Sequence, residues 1–500
     1  MPSPLVEPWL RGVAANPAAP SEVLLRLLDP AAEAAWTALC GERALPADVV
    51  EAVIAHPRRE VRRRFARNRH VPPTQRGPLV DDPDSLVRAD LASGPRPRLG
   101  REKPLPDDVL ETLLTARDDP DHDGVLTTDE IRQELAFSGQ IPQSFRRGML
   151  THDNPALRAQ SAGLWVWLTP GRREALLADP DPAVREAARQ QSRVLDPAAM
   201  EADLPEQDCH LRGTLLFTYA VSQAVVEACL AEERDLCALA WNPYTPADAV
   251  ARLARHPDHG VRMRVAARAD LDATTLEELA RDPEEAVRTR ARADPLPRTW
   301  PRRAALDRVA GRTAAQIGPL AEMFAEPDPA WYEECARSAL PLLRRAAATW
   351  SGLPEDLVTR LADDPDPDVR HLLAFHHPLA PPPVVLDAFV AIPCERPYLL
   401  TLPGLPRTGL RHLLGHEDPD VRALAAADPT LDEPPVGLLI DPDARVRRAA
   451  AANPLLPPDV IATLLHAPES AEGAAANPAL PADRLHALLD LCGVPGTAAP

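Results

Sequence analysis

Between Asp119 and Glu130 the chain reads "DPDHDGVLTTDE". Carboxylates occupy the first, third and fifth places (Asp119, Asp121, Asp123), and Glu130 closes the stretch at the twelfth. The Val125 carbonyl at the seventh place and the Thr127 side chain at the ninth, the latter acting through water, add further oxygens. Gly124 stands at the sixth place, where such a loop must turn sharply. Alternating oxygens closed by a two-oxygen grip are what a hard divalent cation such as Ca2+ requires, because it takes about six to eight oxygens at once. One weak site, with a dissociation constant on the order of 10⁻⁵ to 10⁻³ M, is the expectation.

The same letters carry a second reading. "DDPD" is also a corner phrase found elsewhere, as in "DDPDSLVR" from Asp81 and "DDPDPDVR" from Asp363. That phrase lacks Gly124, the "GVLTT" that replaces Val-Arg, and the closing Glu130. Against the metal stand the polar flanks Thr115, Asp118 and Glu134, and the lack of a second such loop in the sequence. Both readings stay open at this point.

The elements that would position this loop are repeats. One phrase is "DP-x-x-x-VR" and its relatives, in "HPRREVR" from His56, "DPDPAVR" from Asp179, "HPDHGVR" from His256 and "DPDARVR" from Asp441. The other is "NP-x-x-P-x-D/E", in "NPAAPSE" from Asn16, "NPYTPAD" from Asn242, "NPLLPPD" from Asn453 and "NPALPAD" from Asn477. They alternate with a period of 24 to 26 residues, which holds two short helices and two tight corners. In "ADPDPAVREAA", Asp181 can cap the free N–H groups while Pro182 takes the first helical position. Val184, Ala187 and Ala188 then share one face, with Arg185 and Glu186 predicted to point to solvent. In "LPADVVEAVIAHP", Pro46 opens a turn, Val49, Val50, Val53 and Ile54 form the stripe, and His56-Pro57 ends it. Neither helix can bury its stripe alone, so the units must stack.

This pattern resembles the leucine-rich repeat variant family and short HEAT-like repeats, over roughly three-quarters of the chain. The resemblance implies an all-α fold, an α-solenoid of short two-helix repeats. Some members carry an N-terminal iron–sulfur module held by clustered cysteines. Cys40 is alone in the first hundred residues, so that module is not carried over. The stretch from Asp119 to Glu130 resembles an EF-hand loop, with "PDDVLETLLTAR" before it and "DEIRQELAFSG" after it as the helical flanks.

Composition narrows the rest. Prolines number 59 and aromatics make up only 4%, so helices must be short and thinly packed. Lys103 is the only lysine, a bias expected of a GC-rich bacterial genome. A net charge of −19 argues against a general nucleic-acid binder. Charge is uneven: residues 56–76 hold eight arginines against Glu60, and residues 107–130 hold nine acids against Arg117. The arginine segment reads as a solvated face or as a docking patch for an acidic partner. Seven scattered cysteines are expected to be reduced and mostly buried. Cys209, His210, Cys229 and Cys237 lack recognisable ligand spacing for a metal. The apolar run 214–231 reads as one buried helix rather than a membrane span, and no export signal opens the chain, so a cytoplasmic protein is expected.

Regularity divides the chain into N-terminal repeats (1–93), a linker with the helix–loop–helix (94–140) and central repeats (141–295). An atypical junction (296–350), C-terminal repeats (351–493) and a flexible tail (494–500) follow. Trp300, Trp331, Tyr332 and Trp350 at the junction read as packing wedges. Phosphate-binding, nucleophile-elbow and H-E-x-x-H signatures are absent from the sequence, and His376-His377 reads as a helix-ending corner rather than a catalytic pair. A non-enzymatic scaffold for a protein or peptide partner is therefore the expectation, without catalytic or cofactor-binding residues and without a membrane partner. The alternatives are a calcium-responsive regulator and a HEAT-like nucleic-acid-binding protein or DNA glycosylase.

Overall fold

The computed structural model describes residues 4–95, 104–117, 125–292 and 328–496, with residues 299, 302, 305, 306 and 309 between the last two stretches. Every regular element among them is helical. No helix among them is long and apolar enough to cross a membrane. The chain forms two compact units, Met1–Ile141 with Leu373–Pro500, and Pro142–Leu372.

Local chemistry sets the corners. Asp181 accepts the Ala183 N–H at 2.8 Å, and Pro182 opens the helix Pro182–Ser192. Asp84, Asp258, Asp418 and Asp443 cap their helices in the same manner. Two residues before each cap stands a second acceptor. Asp179 takes the Asp181 N–H at 2.9 Å, while His56 and His256 use Nδ1 for the same purpose toward Arg58 and Asp258, each at 3.1 Å. His377 takes the Leu379 N–H through Nδ1 at 3.1 Å. Above the corners the stripes are inside: Val49, Val50, Val53, Val184 and Ala188 are all buried.

Arg185 departs from expectation. It does not extend into water; its Nη1 donates to the carbonyls of Asp179 (2.6 Å) and Pro180 (2.9 Å). The arginine in this slot folds back because the corner presents two carbonyls that no helix N–H reaches. In several repeats it does more. Arg62, Arg158, Arg262, Arg344 and Arg422 clamp their own corner carbonyls, and each also forks onto the next corner's carboxylate, at Asp82, Asp179, Asp282, Asp364 and Asp441.

The "NP" corners supply a second ladder. Asn453 donates its amide to the Ala426 and Asp428 carbonyls at 2.8 and 2.9 Å and accepts the Leu455 N–H. Asn477 does the same to Ala451 and Asn453. Asn16 repeats the pattern on Ala475 and Asn477, at 3.1 and 2.8 Å. The first repeat of the chain is thus the next repeat after the last one. Helices follow this order in the first unit: Pro419–Ala426, Ala444–Ala451, Ala471–Ala475, Val6–Ala15, Trp36–Gly41, Arg59–Ala66, Ser85–Ser93 and Thr128–Ser138, each packed on its neighbour. Gly473 and Gly12 permit the close approaches. A Cβ at Gly473 would overlap the Arg448 carbonyl oxygen, and one at Gly12 would overlap that of Glu472. Trp9 seals the junction by donating Nε1–H to the Leu465 carbonyl at 2.7 Å.

Residues 1–93 and most of 351–493, far apart in sequence, therefore contribute to one unit, while 351–372 fall in the other. Val494 and Pro495, expected in the flexible tail, are held by the fold. Val494 is 2% exposed, and its carbonyl, with that of Pro495, accepts from Arg26 at 2.7 and 3.0 Å.

In the second unit, Leu236–Trp241 packs on His210–Thr218 and on His259–Ala266, which in turn packs on Glu285–Arg292. The apolar run 214–231 is two helices, not one. His210–Thr218 ends before Tyr219, and Ser222 caps Gln223–Ala231 by accepting the Val225 N–H. Serine offers its hydroxyl to the backbone, which favours a fresh helix start over continuation. Of the junction aromatics, Trp331 is buried and Tyr332 stacks on Trp350 with ring centroids 5.1 Å apart. Trp300 lies outside the described residues, as does most of 293–327.

Candidate functional site

The sequence-derived metal ligands divide at the edge of what is described. Asp119, Asp121 and Asp123 lie outside the described residues; Val125, Thr127 and Glu130 lie within them. Both flanking helices form, as Asp107–Thr115 and Thr128–Ser138. Thr127 is the N-cap of the second, and with Glu130 it makes a reciprocal capping box. Thr127 Oγ1 accepts the Glu130 N–H at 3.2 Å, and Glu130 Oε2 accepts the Thr127 N–H at 2.8 Å. The sequence cause is the "TTDE" spacing, in which a threonine precedes a glutamate by three residues. Val125 is exposed, and the Leu126 N–H is tied to Ser85 Oγ at 3.2 Å. The second half of the loop is thus anchored to the preceding repeat and leads straight into a capped helix. One Glu130 oxygen is engaged by the cap.

No cluster of three or more His, Cys, Asp or Glu side chains is poised for a metal ion among the described residues. Cys229 is buried and Cys209 exposed, with Cys209 Sγ accepting the Arg212 N–H at 3.5 Å. None of the seven cysteines is in a disulfide; Cys40, Cys229 and Cys335 are buried, Cys209 and Cys394 are exposed, and Cys237 and Cys492 lie between. The expectation of mostly buried thiols holds for fewer than half of them, because Cys209 and Cys394 fall at helix starts on the surface. Burial pushes the Cys40 thiol up to about 12 and that of Cys492 up to about 11.

Arg58 to Arg69 are not uniformly solvated. Arg62 is buried on Asp82, Arg63 and Arg67 share Asp90, and Arg59 meets Glu60 and Asp84. Arg64 and Arg69 remain exposed, and neither meets a carboxylate among the described residues. Half of the segment's charge is therefore spent on holding adjacent repeats together.

No protein-family model matches the chain, and no curated protein shows significant similarity to it. Sequence reasoning missed two sets of residues. One is the set of arginines that bridge corners. The other is the set that replaces asparagine at "NP" slots: Arg43 donates to Ala14 and Asn16, and the fully buried Arg268 donates to Ala240 and Asn242. A signal existed, since Arg268 follows Asn242 by 26 residues and is in phase with it. Arg158 and Arg344 hold the bridging slot too, although "NPALR" and "LPLLR" hide the phrase.

Proposed function

We propose that the protein is a non-enzymatic, cytoplasmic scaffold built as an α-solenoid of short repeats, related to the leucine-rich repeat variant and HEAT-like families, whose surface holds a protein partner. The supporting observation is the double ladder. Asparagine amides and arginine forks bind one repeat to the next through backbone carbonyls and corner carboxylates, so the exposed side chains are left to vary with a partner. Repeat arrays present extended surfaces of this kind. Photo-crosslinking the full chain in native cytosol tests the reading. Recovery of a defined protein is expected. Recovery of none, or turnover of a low-molecular-weight substrate at the surface, would overturn it.

A second reading is calcium-responsive regulation, favoured by the alignment of the capping box with the last oxygen-bearing places of the loop. The same residues would serve the metal: Asp119, Asp121, Asp123, the Val125 carbonyl, Thr127 and Glu130. Glutamine maintains a capping box but supplies one neutral oxygen in place of a carboxylate. Glu130→Gln should therefore keep the helicity of the parent while abolishing any calcium-induced rise in thermal midpoint. If millimolar calcium leaves the parent unchanged, this reading fails.

A further inference from the structure

We propose that the first unit binds an acidic, leucine-bearing peptide segment of a partner protein in a cavity whose rim is Arg407; this rests on the scaffold reading. The cavity measures about 420 Å3 and opens among Phe389, Leu400, Leu424 and Ala427, with Arg396 and Asp420 at its polar side. Those two are already committed. Arg396 donates to Asp418 at 2.8 Å, Asp420 at 3.0 Å and the Phe389 carbonyl at 2.9 Å, and Asp420 also receives Arg445. What they leave for a ligand is the apolar wall.

Arg407 is different. Its Nη2 donates to the Leu400 carbonyl at 2.6 Å, and it meets no carboxylate among the described residues. It retains exposed surface, yet surrounding protein pushes its pKa down. Arg407 thus lines the mouth of the cavity with its guanidinium open to a ligand. A guanidinium in such a place gains more from a carboxylate than one on an open surface. His70 lies near enough to feel the charge of Arg407. Burial, then the charges of Arg69 and Arg407, hold its imidazole below the ordinary range. On a chain of net charge −19, Arg407 gives this mouth a positive charge that no carboxylate matches among the described residues, and charge complementarity selects an acidic occupant. Leu400, 41% exposed at the rim, and the wall behind it select an aliphatic side chain beside that acid.

The test uses the full chain and a fluorescein-labelled octapeptide in which two leucines are each flanked by glutamates, read by fluorescence anisotropy at about 50 mM salt. Saturable binding is expected, weakened about tenfold by Arg407→Glu, by Ala427→Trp, and by replacing the peptide's leucines with serine. Both substituted positions are exposed, and unchanged thermal midpoints would verify that the fold is intact. Absence of saturable binding, or variants that bind like the parent, overturns the site. Displacement of the peptide by a tighter-binding oligothymidylate overturns it as well, by assigning the rim to phosphate. A cytosolic partner that crosslinks equally to the parent and to Arg407→Glu removes this cavity alone. A parent that retains no partner removes the scaffold reading and the cavity with it.

Discussion

Asn453 shows how much one side chain does here. Fully buried, it satisfies two carbonyls of the preceding repeat and one N–H of its own corner. Alanine would strand all three, and an unsatisfied buried polar group costs about 1–3 kcal/mol. Asn453→Ala should therefore lower unfolding free energy by about 3 kcal/mol in urea titration, while Asn453→Asp, which retains the acceptor but loses both donors, should be no better. The thiols give a second residue-scale expectation. Cys209 and Cys394 are exposed, whereas Cys40 is buried with its thiol held protonated up to about 12. Maleimide labelling of the native chain followed by mass mapping should modify the first two within minutes and spare Cys40 until denaturant is added. Cap residues such as Asp181 were legible in the sequence because cap and recipient lie two residues apart. The roles of Arg43 and Arg268 were not, because nothing local marks an arginine that replaces an asparagine.

Corners act as elements through their arginine forks. Asp179, Asp282, Asp418 and Asp441 are each held below the usual carboxylate range, chiefly by the guanidinium bonded to them. In the unfolded chain an aspartate titrates near about 3.9. Between that value and the lower folded one, the unfolded state carries more protons, so stability falls as pH drops. The thermal midpoint should be flat from about pH 7 to 5 and decline steeply below about pH 4, with Asp441→Asn removing part of that slope. Arg344 and Asp364 form one of the two most enclosed forks among the described residues, with side chains 10% and 4% exposed. Asp364→Ala strands the guanidinium and should cost about 3 kcal/mol by chemical denaturation; replacing both members by leucine and methionine should cost less. The helices and corners of these elements could be read from period and proline position. The fork could not, since Arg62 and Asp82 lie 20 residues apart and the repeat phrase only shows that both recur. The calcium reading is limited in another way: "TTDE" encodes a helix cap as well as it encodes a ligand.

At the scale of the molecule, the decisive contact joins Asn16 to Asn477, 461 residues apart. A stacked array ordinarily needs polar capping repeats at its ends. Here the first unit has none at the junction, because Val6–Ala15 covers Ala471–Ala475 and each end serves as the other's cap. No sequence period reveals this, as the period is the same whether the ends meet or stand free. Deleting residues 1–28 should expose the apolar flank formed by Ala471, Ala474 and Ala475, and size-exclusion chromatography should show association or loss of soluble protein. Joining the ends with a short flexible linker should instead raise the thermal midpoint, since the open chain no longer has to find its own end.

That junction also orders events during synthesis. Trp9 and Asn16 leave the ribosome well before the carbonyls they require, those of Leu465, Ala475 and Asn477, which follow 456 to 461 residues later. The repeat that holds Asn16 must wait, half-built and greasy, for the one that holds Asn477, so a ribosome that stalls before Leu465 releases a chain in which that edge has nothing to fold against.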